Sequence, residues 1–373
     1  MNNLYLLYTV FEPNTAPTNR ILGYLKSLSI LGIPTKMVFI SPDSKFSKYP
    51  EKFEGVEFIY LWEWLPIRNR YIKQVLFSIN VCKFSKILKK GDKVVLLDMS
   101  RAIFPLVNLR KRGIKVFHEK TEHPYAYKVR TVNVERYLKA CRELDGLFVI
   151  STALKYYYIS KGIEPSKIHI INMFADTSRF ENLSKTSVEE RYIAYCGTAS
   201  HSKDGVDELI KAFAIFHKTI PDVKLWIIGK IPSREEDMEN LHLIDSLGLN
   251  DFVVLKGVIN SQEMPQVLKN AEVLALDRPD SLQAKHGFPT KLGEYLLTGN
   301  PVVLTDVGDI TLFLKDKESA MIAKDRNPED FASKLIWLYQ NREKAVEIGL
   351  AGCQVALNQF NALTETKIML KVI

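Results

Sequence analysis

Cysteine is scarce in this chain, with four residues among 373, and the four are far apart. No C-x-x-C pair occurs, so the sequence indicates neither a disulfide framework nor a zinc site. Long apolar runs are also missing, since stretches such as "KVVLLDM" fall well short of a membrane span. The opening "MNNLYLLYTVFEPN" has neither the basic leader nor the cleavage site of a secretory signal. These absences predict a protein of the reducing cytoplasm.

The balance of charge differs between the two halves of the chain. Residues 1–185 hold 30 Lys and Arg against 16 Asp and Glu, a net charge of +14. The chain totals are 51 and 43, so the remaining residues hold 21 against 27, a net charge of −6. A basic first half predicts a surface that faces an anionic partner, with nucleic acid and membrane as the candidates.

Short apolar runs alternate with amphipathic stretches of helical length along the first half. Such continuous apolar strands, separated by helices, predict a parallel sheet covered on both faces. The predicted strands are 4–10, 35–40, 56–60, 93–98, 114–119, 146–150 and 167–171. The predicted helices are 19–31, 70–90, 101–112, 128–143 and 152–161.

A polar segment within 172–190 interrupts this alternation, which then begins again. The second series of predicted strands is 192–197, 224–229, 252–257, 272–276, 301–305 and 319–323. Two doubly wound, Rossmann-like α/β domains follow, with ligands expected in a cleft beyond the carboxyl ends of the strands. We predict a first domain at 1–180, a second domain at 190–357, and a C-terminal helix near 358–373 that packs back on the first domain.

The stretch "HGFPTKLGEYLLTGNPVV" places a carboxylate one turn inside a helix that leads into a strand. Thr290 is expected to cap this helix, whose first amides and Lys291 would then face an anion. Glu294 lies further in, where it could accept hydrogen bonds from a ribose diol. The alternative is structural, because an acidic residue in a first turn stabilises a helix by about 0.3–1 kcal/mol in any protein.

The same stretch resembles the signature of the group 1 glycosyltransferases, which are retaining enzymes of GT-B fold. Four other stretches agree with that family in order and spacing, namely "NMFADTSRF", "YCGTASHSKDGVDELIKAF", "KLWIIGK" and "VVLKGVINSQEMPQVLKNAEVLALDRPDS". The resemblance covers about residues 165–310, and in the first half it is only architectural. It implies two facing Rossmann-like domains, with the acceptor domain at 1–180 and the nucleotide-sugar donor domain at 190–357. It also implies a nucleotide-diphosphate-sugar donor and no obligatory metal or other cofactor.

The resemblance also implies roles for individual residues. Glu294 would bind the ribose, while Lys203 and Lys291 would stabilise the leaving diphosphate. Gly197 belongs to the glycine loop, Gly257 and Val258 would lie against the base, and Arg278 would add a second cation. The turn that precedes the helix would supply backbone amides, and it comprises Gly287, Phe288, Pro289 and Thr290.

This chain departs from the family pattern at two positions. His286 stands where the first acid of the paired-Glu motif is expected, so the group that contacts the transferred sugar is changed. Thr198 replaces the usual arginine of the glycine loop, a loss for which Arg278 or Lys291 could substitute. Both cations also have a structural alternative. Lys203 could be a solvated turn lysine, and Arg278 could be a residue that fixes a loop.

Candidates for the acceptor and for catalysis in the first half come from two segments. "IKVFHEKTEHPY" places His118 and Glu122 after a strand, where His118 is a candidate catalytic residue and Glu122 an acceptor ligand. The alternative for His118 is a satisfied structural histidine. In the first loop, Thr15, Thr18 and Asn19 could donate to a phosphate or to acceptor hydroxyls.

The segment 62–90 mixes Trp62, Trp64, Ile67, Tyr71 and Phe77 with several Lys and Arg. Tryptophan beside cations is typical of a lipid headgroup interface. The alternative is an ordinary stripe of apolar side chains that faces the core. No nucleic-acid-binding motif occurs, which favours an anionic membrane surface as the partner.

Together these observations predict a retaining hexosyltransferase that works in the cytoplasm, peripheral to the inner face of the membrane. It would transfer a sugar from a nucleotide sugar to a glycan acceptor carried on a lipid, in surface polysaccharide or glycolipid synthesis, without a covalent nucleophile. Three alternatives stay open. The first is a sugar-nucleotide epimerase of GT-B fold, with "HEKTEH" as its acid/base cluster. The others are a transferase for a soluble glycan or protein acceptor and a two-domain binding protein.

Overall fold

The computed structural model describes residues 3–13, 15–41, 50–61, 69–126 and 133–373. The chain divides into two compact units, one of Met1–Asn172 with Ala362–Ile373 and one of Met173–Asn361. The first unit therefore ends at Asn172, whereas the sequence predicts that the first domain ends at residue 180. Trp62, Trp64 and Ile67 of the predicted membrane segment lie outside the described residues.

The first unit is built on one eight-stranded sheet in the order β3-β4-β2-β1-β5-β6-β7-β8. Its strands are β1 Leu4–Tyr8, β2 Thr35–Phe39, β3 Lys52–Phe53, β4 Val56–Tyr60, β5 Lys93–Leu97, β6 Lys115–Lys120, β7 Gly146–Val149 and β8 Ile168–Ile170. All neighbouring pairs are parallel except β3 with β4. The strand prediction missed β3, which at two residues is too short to show a periodicity.

The helices of this unit alternate with its strands along the chain, as the crossover connections between parallel strands require. They are α1 Ala16–Ile30, α2 Arg70–Ile87, α3 Ile103–Leu106, α4 Val134–Arg142, α5 Thr152–Ser160 and the C-terminal helix Ala362–Val372. The single helix predicted over 101–112 is wrong in detail, because α3 gives way to a 3₁₀ helix, Val107–Arg112. Gly113 ends that 3₁₀ helix with a φ of 74°, a conformation that glycine adopts without strain.

A buried polar cluster ties the C-terminal helix to this unit. Glu365 accepts hydrogen bonds from the backbone and the side-chain amide of Asn172, at 2.8 and 3.0 Å. Arg20 on α1 donates to the carbonyl oxygen of Asn172 and pairs with Glu119 on β6 at 2.6 Å. Tyr24 donates to the same carboxylate at 2.6 Å, so the buried charge of Glu119 is fully compensated.

The second unit contains a six-stranded, all-parallel sheet in the order β11-β10-β9-β12-β13-β14. Its strands are β9 Tyr192–Cys196, β10 Lys224–Ile228, β11 Val253–Gly257, β12 Val273–Leu276, β13 Val302–Thr305 and β14 Met321–Ala323. Every one of these strands was predicted from the sequence. From β9 the chain adds β10 and β11 on one side of the sheet, and it then returns to add β12, β13 and β14 on the other side. The order of the strands therefore reverses between β9 and β12. In open α/β sheets, ligands bind beyond the carboxyl ends of the strands at such a point.

The helices of this unit are α6 His201–Asp204, α7 Val206–Thr219, α8 Arg234–Ser246, α9 Met264–Asn270, α10 Leu282–His286, α11 Thr290–Leu297, α12 Ile310–Phe313, α13 Pro328–Gln340 and α14 Arg342–Gln359. Tyr295 fixes α11 to the end of β9, since its hydroxyl accepts from the backbone N–H of Cys196 at 2.5 Å. In the described part of the chain, no helix is both long and apolar enough to span a membrane.

Candidate functional site

The loops at the reversal between β9 and β12 bring several sequence-predicted residues together. Gly197 follows β9, Arg278 follows β12, and Lys291 lies in the first turn of α11. A Cβ on Gly197 would lie 2.0 Å from Lys291 Nζ and 2.7 Å from the Tyr195 hydroxyl. A larger residue at this position would displace the Lys291 side chain, which passes directly over the Gly197 backbone.

Asp204, the last residue of α6, is the anion at the centre of this cluster. Its side chain is 2% exposed, and it accepts from Lys291 Nζ at 2.6 Å and from the Tyr195 hydroxyl at 2.7 Å. Arg278 Nε lies 3.7 Å from the other carboxylate oxygen, and the Lys291 ammonium also sits 4.6 Å from the centre of the Tyr195 ring. Sequence reasoning missed Asp204, because an Asp before a Gly is typical of an ordinary turn.

The electrostatics of this cluster favour an ionised carboxylate. Burial opposes ionisation of Asp204, but the charge of Lys291, its hydrogen bond and the nearby Arg278 outweigh it and hold the pKa of Asp204 below its usual value. Lys291 therefore already has an anionic partner, and a bound diphosphate would have to compete with Asp204 for it.

Lys203 occupies a different position from Lys291. It lies on α6, in a helical turn and not in the loop that the sequence predicts, and its side chain is exposed. An exposed lysine can turn towards an incoming anion without the loss of a buried partner.

The N-terminus of α11 corrects two expectations. Thr290 is the first helical residue and not the cap, and Pro289 at the N-cap position makes no capping hydrogen bond. The predicted set of amide donors is also smaller, because Pro289 has no N–H and the Gly287 N–H donates to Gln283 O at 2.9 Å. The side chain of Phe288 packs against Phe313 and is 8% exposed. An uncapped helix start still presents backbone donors to an anion.

Glu294 is half-buried on α11, with 23% of its side chain exposed, and is held by an arginine. Arg179 Nη1 lies 2.5 Å from Glu294 Oε1, and its Nη2 donates to Ser261 O at 2.7 Å. Arg179 thus joins Glu294 to the loop after β11. Burial raises the pKa of Glu294, although the charge of Arg179 acts against this shift. Arg179 was missed, although it lies in a polar stretch that the sequence marks as a linker.

The remaining donor candidates lie at the ends of β11 and α10. Gly257 ends β11 with a φ of 66° and accepts from the Gly229 N–H at 2.7 Å, and Val258 follows it with 69% of its side chain exposed. His286 ends α10, where its Nδ1 lies 3.1 Å from Leu282 O in the same helix. The structure therefore ties the His286 ring to its own helix.

In the first unit, the structure corrects the role expected of His118. The residue lies within β6 rather than after it and has no exposed surface, and its Nδ1 faces Leu96 O at 3.0 Å. Burial, aided by the charge of Lys120, lowers the pKa of His118 to about 3, so the ring stays neutral. A side chain that reaches no solvent cannot contact a substrate, so His118 belongs to the core.

The predicted acceptor residues differ in accessibility. Thr18 is 1% exposed, so its side chain is not available to an acceptor. Thr15 caps α1, where its hydroxyl donates to Glu12 O at 3.0 Å. Asn19 is exposed on the same helix, and Glu122 is half-buried in the loop after β6. Of these four residues, only Thr18 lacks the accessibility that contact with an acceptor requires.

Beyond the end of β5, Asp98 forms an ion pair with Lys120 of β6. Asp98 has a φ of 50°, which is strained for a residue with a side chain. Burial raises its pKa, with Lys120 acting against this shift. Glu122 is among the charges that act on it, so a small polar group forms at the carboxyl edge of the sheet. Asp98 was not predicted as a site residue, because in the sequence it is only the last residue of the predicted apolar strand 93–98.

Among the described residues, no three His, Cys, Asp or Glu side chains are placed to share a metal ion.

Residues 190–341 match the model of a protein family described as "Glycosyl transferases group 1". Among individual proteins, a D-inositol 3-phosphate glycosyltransferase of Paenarthrobacter aurescens is 26% identical over 160 residues. That match covers 42% of this chain and 38% of the relative, so it spans well under half of that protein. An uncharacterised glycosyltransferase of Bacillus subtilis, YqgM, is 26% identical over 258 residues, covering 69% of this chain and 66% of the relative.

Solved structures match over the whole chain. Anabaena Alr3699/HepE in complex with UDP superposes with a TM-score of 0.75 and 16% identity, covering 100% of this chain and 99% of that one. A variant of S. aureus TarM, in complex with fondaparinux, alpha-GlcNAc-glycerol and UDP, superposes with a TM-score of 0.79 and 12% identity, covering 100% and 99%. The predicted GT-B fold of two Rossmann-like domains is confirmed.

Proposed function

We propose that this protein transfers a sugar from a nucleoside-diphosphate sugar to a glycan acceptor. One observation carries the proposal: the group of Arg278, Lys291 and the uncapped start of α11 lies at the strand-order reversal of the unit that matches the group 1 model. Cations and helix amides at the carboxyl ends of parallel strands suit a diphosphate. The UDP held by structural relatives of low identity agrees with this choice of ligand.

The proposed chemistry is electrostatic stabilisation of the leaving group. Negative charge grows on the diphosphate as the glycosidic bond to the donor breaks, so donors that are already in place favour the transition state. The exposed Lys203 and the amides of α11 would meet that charge directly, and Arg278 would act behind them. Retention of the anomeric configuration and transfer of a hexose remain part of the proposal, and no side chain is assigned as a nucleophile.

We assign the ribose to Glu294. Its carboxylate is anchored by Arg179, which also holds the loop after β11, where Gly257 and Val258 would face the base. A charged acceptor fixed in this way suits a diol, which offers two donors. The Glu294→Gln variant keeps the shape and loses the charge, so nucleoside diphosphates should bind about 1–3 kcal/mol more weakly, the range for hydrogen bonds to charged groups.

Calorimetry with UDP and with the other nucleoside diphosphates measures this change. The exposed Glu343, at the start of α14, provides a matched control as Glu343→Gln. Equal nucleotide affinity of Glu294→Gln and the parent protein would remove Glu294 from the site. Incubation with a nucleotide sugar and a glycan acceptor tests the reaction itself, with the anomeric configuration of the product read by NMR.

The acceptor is proposed to be carried on a lipid, and the first unit to work at the inner, anionic face of a membrane. Support comes from α2, whose apolar residues do not all face the core. Phe77 packs against the core, whereas Tyr71, Ile72, Val75 and Ile79 are 69%, 50%, 60% and 42% exposed. The structural alternative for this segment therefore holds for only part of the helix.

The epimerase alternative loses its main support. It needs an acid/base cluster from "HEKTEH", but His118 is buried and neutral and Glu119 is held by Arg20 and Tyr24. Formation of a new glycosidic bond with release of the nucleoside diphosphate would separate a transferase from an epimerase.

A further inference from the structure

A cavity of about 280 Å³ opens beside the N-terminus of α7, and four of its ten lining residues are acidic. Asp207 and Glu208 belong to the first turn of α7, Asp277 follows β12, and Asp325 follows β14. None of the lining residues is among those assigned to the sugar donor. The cavity is therefore a separate feature that the proposed transfer reaction leaves unexplained.

Asp277 is the member of this wall that points to a ligand. Its side chain is 2% exposed, and within the described part of the chain its Oδ2 atom has no hydrogen-bond partner. Asp207 Oδ1 is likewise buried and unpartnered among the described residues. Burial, with the charges of Glu208, Asp325 and Asp207, raises the pKa of Asp277 to about 8. A buried carboxyl group without a partner costs free energy that a cation could recover.

The cations near this wall do not balance its carboxylates. Lys211 Nζ lies 2.6 Å from Glu208 and 3.8 Å from Asp207, so one ammonium serves both. Arg326 Nε lies 3.9 Å from Asp325, and its side chain is 69% exposed. Four carboxyl groups thus face two cations, and full ionisation would leave a surplus of two negative charges.

Two observations favour an organic cation. Among the described residues, no three His, Cys, Asp or Glu side chains are placed to share a metal ion, so a metal held by protein ligands alone does not fit. The cavity also exceeds the about 30 Å³ that one water molecule occupies in the liquid. An extended molecule with two ammonium groups carries two positive charges, which match this surplus, and it can pair with two carboxylates at once. We propose that this cavity binds an organic diamine, with one ammonium group at Asp277 and the other towards Asp325.

Calorimetry on the full chain with 1,4-diaminobutane at pH 8 and constant ionic strength tests the proposal. Binding of the diamine should be saturable, and 1,4-butanediol and magnesium chloride should not reproduce it. The Asp277→Asn variant should bind the diamine about tenfold more weakly or worse, as expected for the loss of one charged hydrogen bond. The Asp280→Asn variant is the matched control, because Asp280 is half exposed, pairs with Lys285 at 3.9 Å and does not line the cavity.

The Asp277→Asn variant should fold at least as stably as the parent without ligand, because it removes a buried group that resists ionisation. If it does not fold, Asp325→Asn replaces it in the same titration. Equal affinity of the cavity variant and the parent would overturn the proposal. An equal response to butanediol or to magnesium would do so as well, since it would point to a neutral ligand or a metal ion. Sugar transfer is not the readout, so the result is independent of the proposed transferase activity.

Discussion

At the scale of single residues, the pairing of Lys291 with Asp204 separates two lysines that the sequence treats alike. Lys291 passes over Gly197 and ends in an ion pair whose carboxylate is 2% exposed, whereas Lys203 is exposed one residue before that carboxylate. Loss of one partner from a buried pair is strongly destabilising, because it leaves an uncompensated charge. Replacement of Lys291 should therefore affect mainly stability, whereas replacement of Lys203 should affect mainly catalysis.

We predict that Lys291→Ala lowers the free energy of unfolding by up to about 3–5 kcal/mol, the range for a broken buried pair. Lys203→Ala should leave stability within about 0.5 kcal/mol, as for exposed sites, and should lower kcat for sugar transfer. Urea titration and initial rates measure the two effects. The double variant Asp204→Asn with Lys291→Met should recover part of the stability, since it leaves no unpaired carboxylate. A stable Lys291→Ala protein would show that the pair contributes little.

A second prediction at this scale concerns pH. The pKa of the buried His118 is lowered to about 3, below the ordinary value near 6.5, so the unfolded chain takes up a proton that the folded state refuses. Above pH 6.5 the ring is neutral in both states, and the stability that depends on its neutral form is fully present. As the pH falls towards 3 this stability is lost, because the unfolded chain binds the proton and the folded state does not. Between pH 6.5 and pH 5 the loss should reach about 2 kcal/mol, at ~1.4 kcal/mol per unit.

Urea unfolding at pH 7 and pH 5 measures this loss, and His118→Gln should reduce the difference between the two. His242, which lies exposed on α8, provides the control as His242→Gln. If both variants keep the pH dependence of unfolding that the parent shows, the buried His118 ring does not cause that dependence.

At the scale of elements, α2 differs from the other helices of its unit. Its second half contributes Val81 and Phe84 to the core, while its first half exposes Ile72 and Val75. Lys73 and Lys83 are exposed on the same helix. Apolar side chains beside cations suit insertion at an anionic lipid surface.

We predict that the double variant Ile72→Ser, Val75→Ser loses most of its binding to anionic vesicles without a loss of stability. Val346 and Leu350 on α14 are each 57% exposed, so Val346→Ser with Leu350→Ser is a control of equal apolar loss. Co-sedimentation with vesicles that contain phosphatidylglycerol measures the binding. Equal losses for the two double variants would mean that α2 is not the docking surface.

At the scale of the whole molecule, the charge of +14 on residues 1–185 against −6 on the rest acts over distance. Exposed charges are screened beyond about 8 Å at physiological salt. Vesicle binding of the full chain should therefore favour anionic over neutral lipids and should fall steeply as salt rises. Sedimentation at low and high salt checks this prediction, and equal binding to neutral vesicles at low salt would favour a soluble acceptor.

The sequence by itself determined the two α/β units, because strand and helix periodicities are local properties that survive without knowledge of the partners. The prediction missed only the two-residue β3 among the described strands of the first sheet. It also predicted that Gly197, Arg278 and Lys291 of the proposed donor site lie near one another, since all three follow or face the ends of predicted strands. Chain order alone placed these ends at one edge of the sheet.

Only the tertiary structure decided what each polar side chain contacts. Asp204 and Lys291 are 87 positions apart, and Glu119 and Arg20 are 99 positions apart, so neither pair leaves a local pattern. The same holds for burial: His118 and Thr18 look like surface residues in sequence, but the packing of β6 and α1 encloses them. A residue type states what a side chain can do, and long-range packing sets its partner, its charge and its access to solvent.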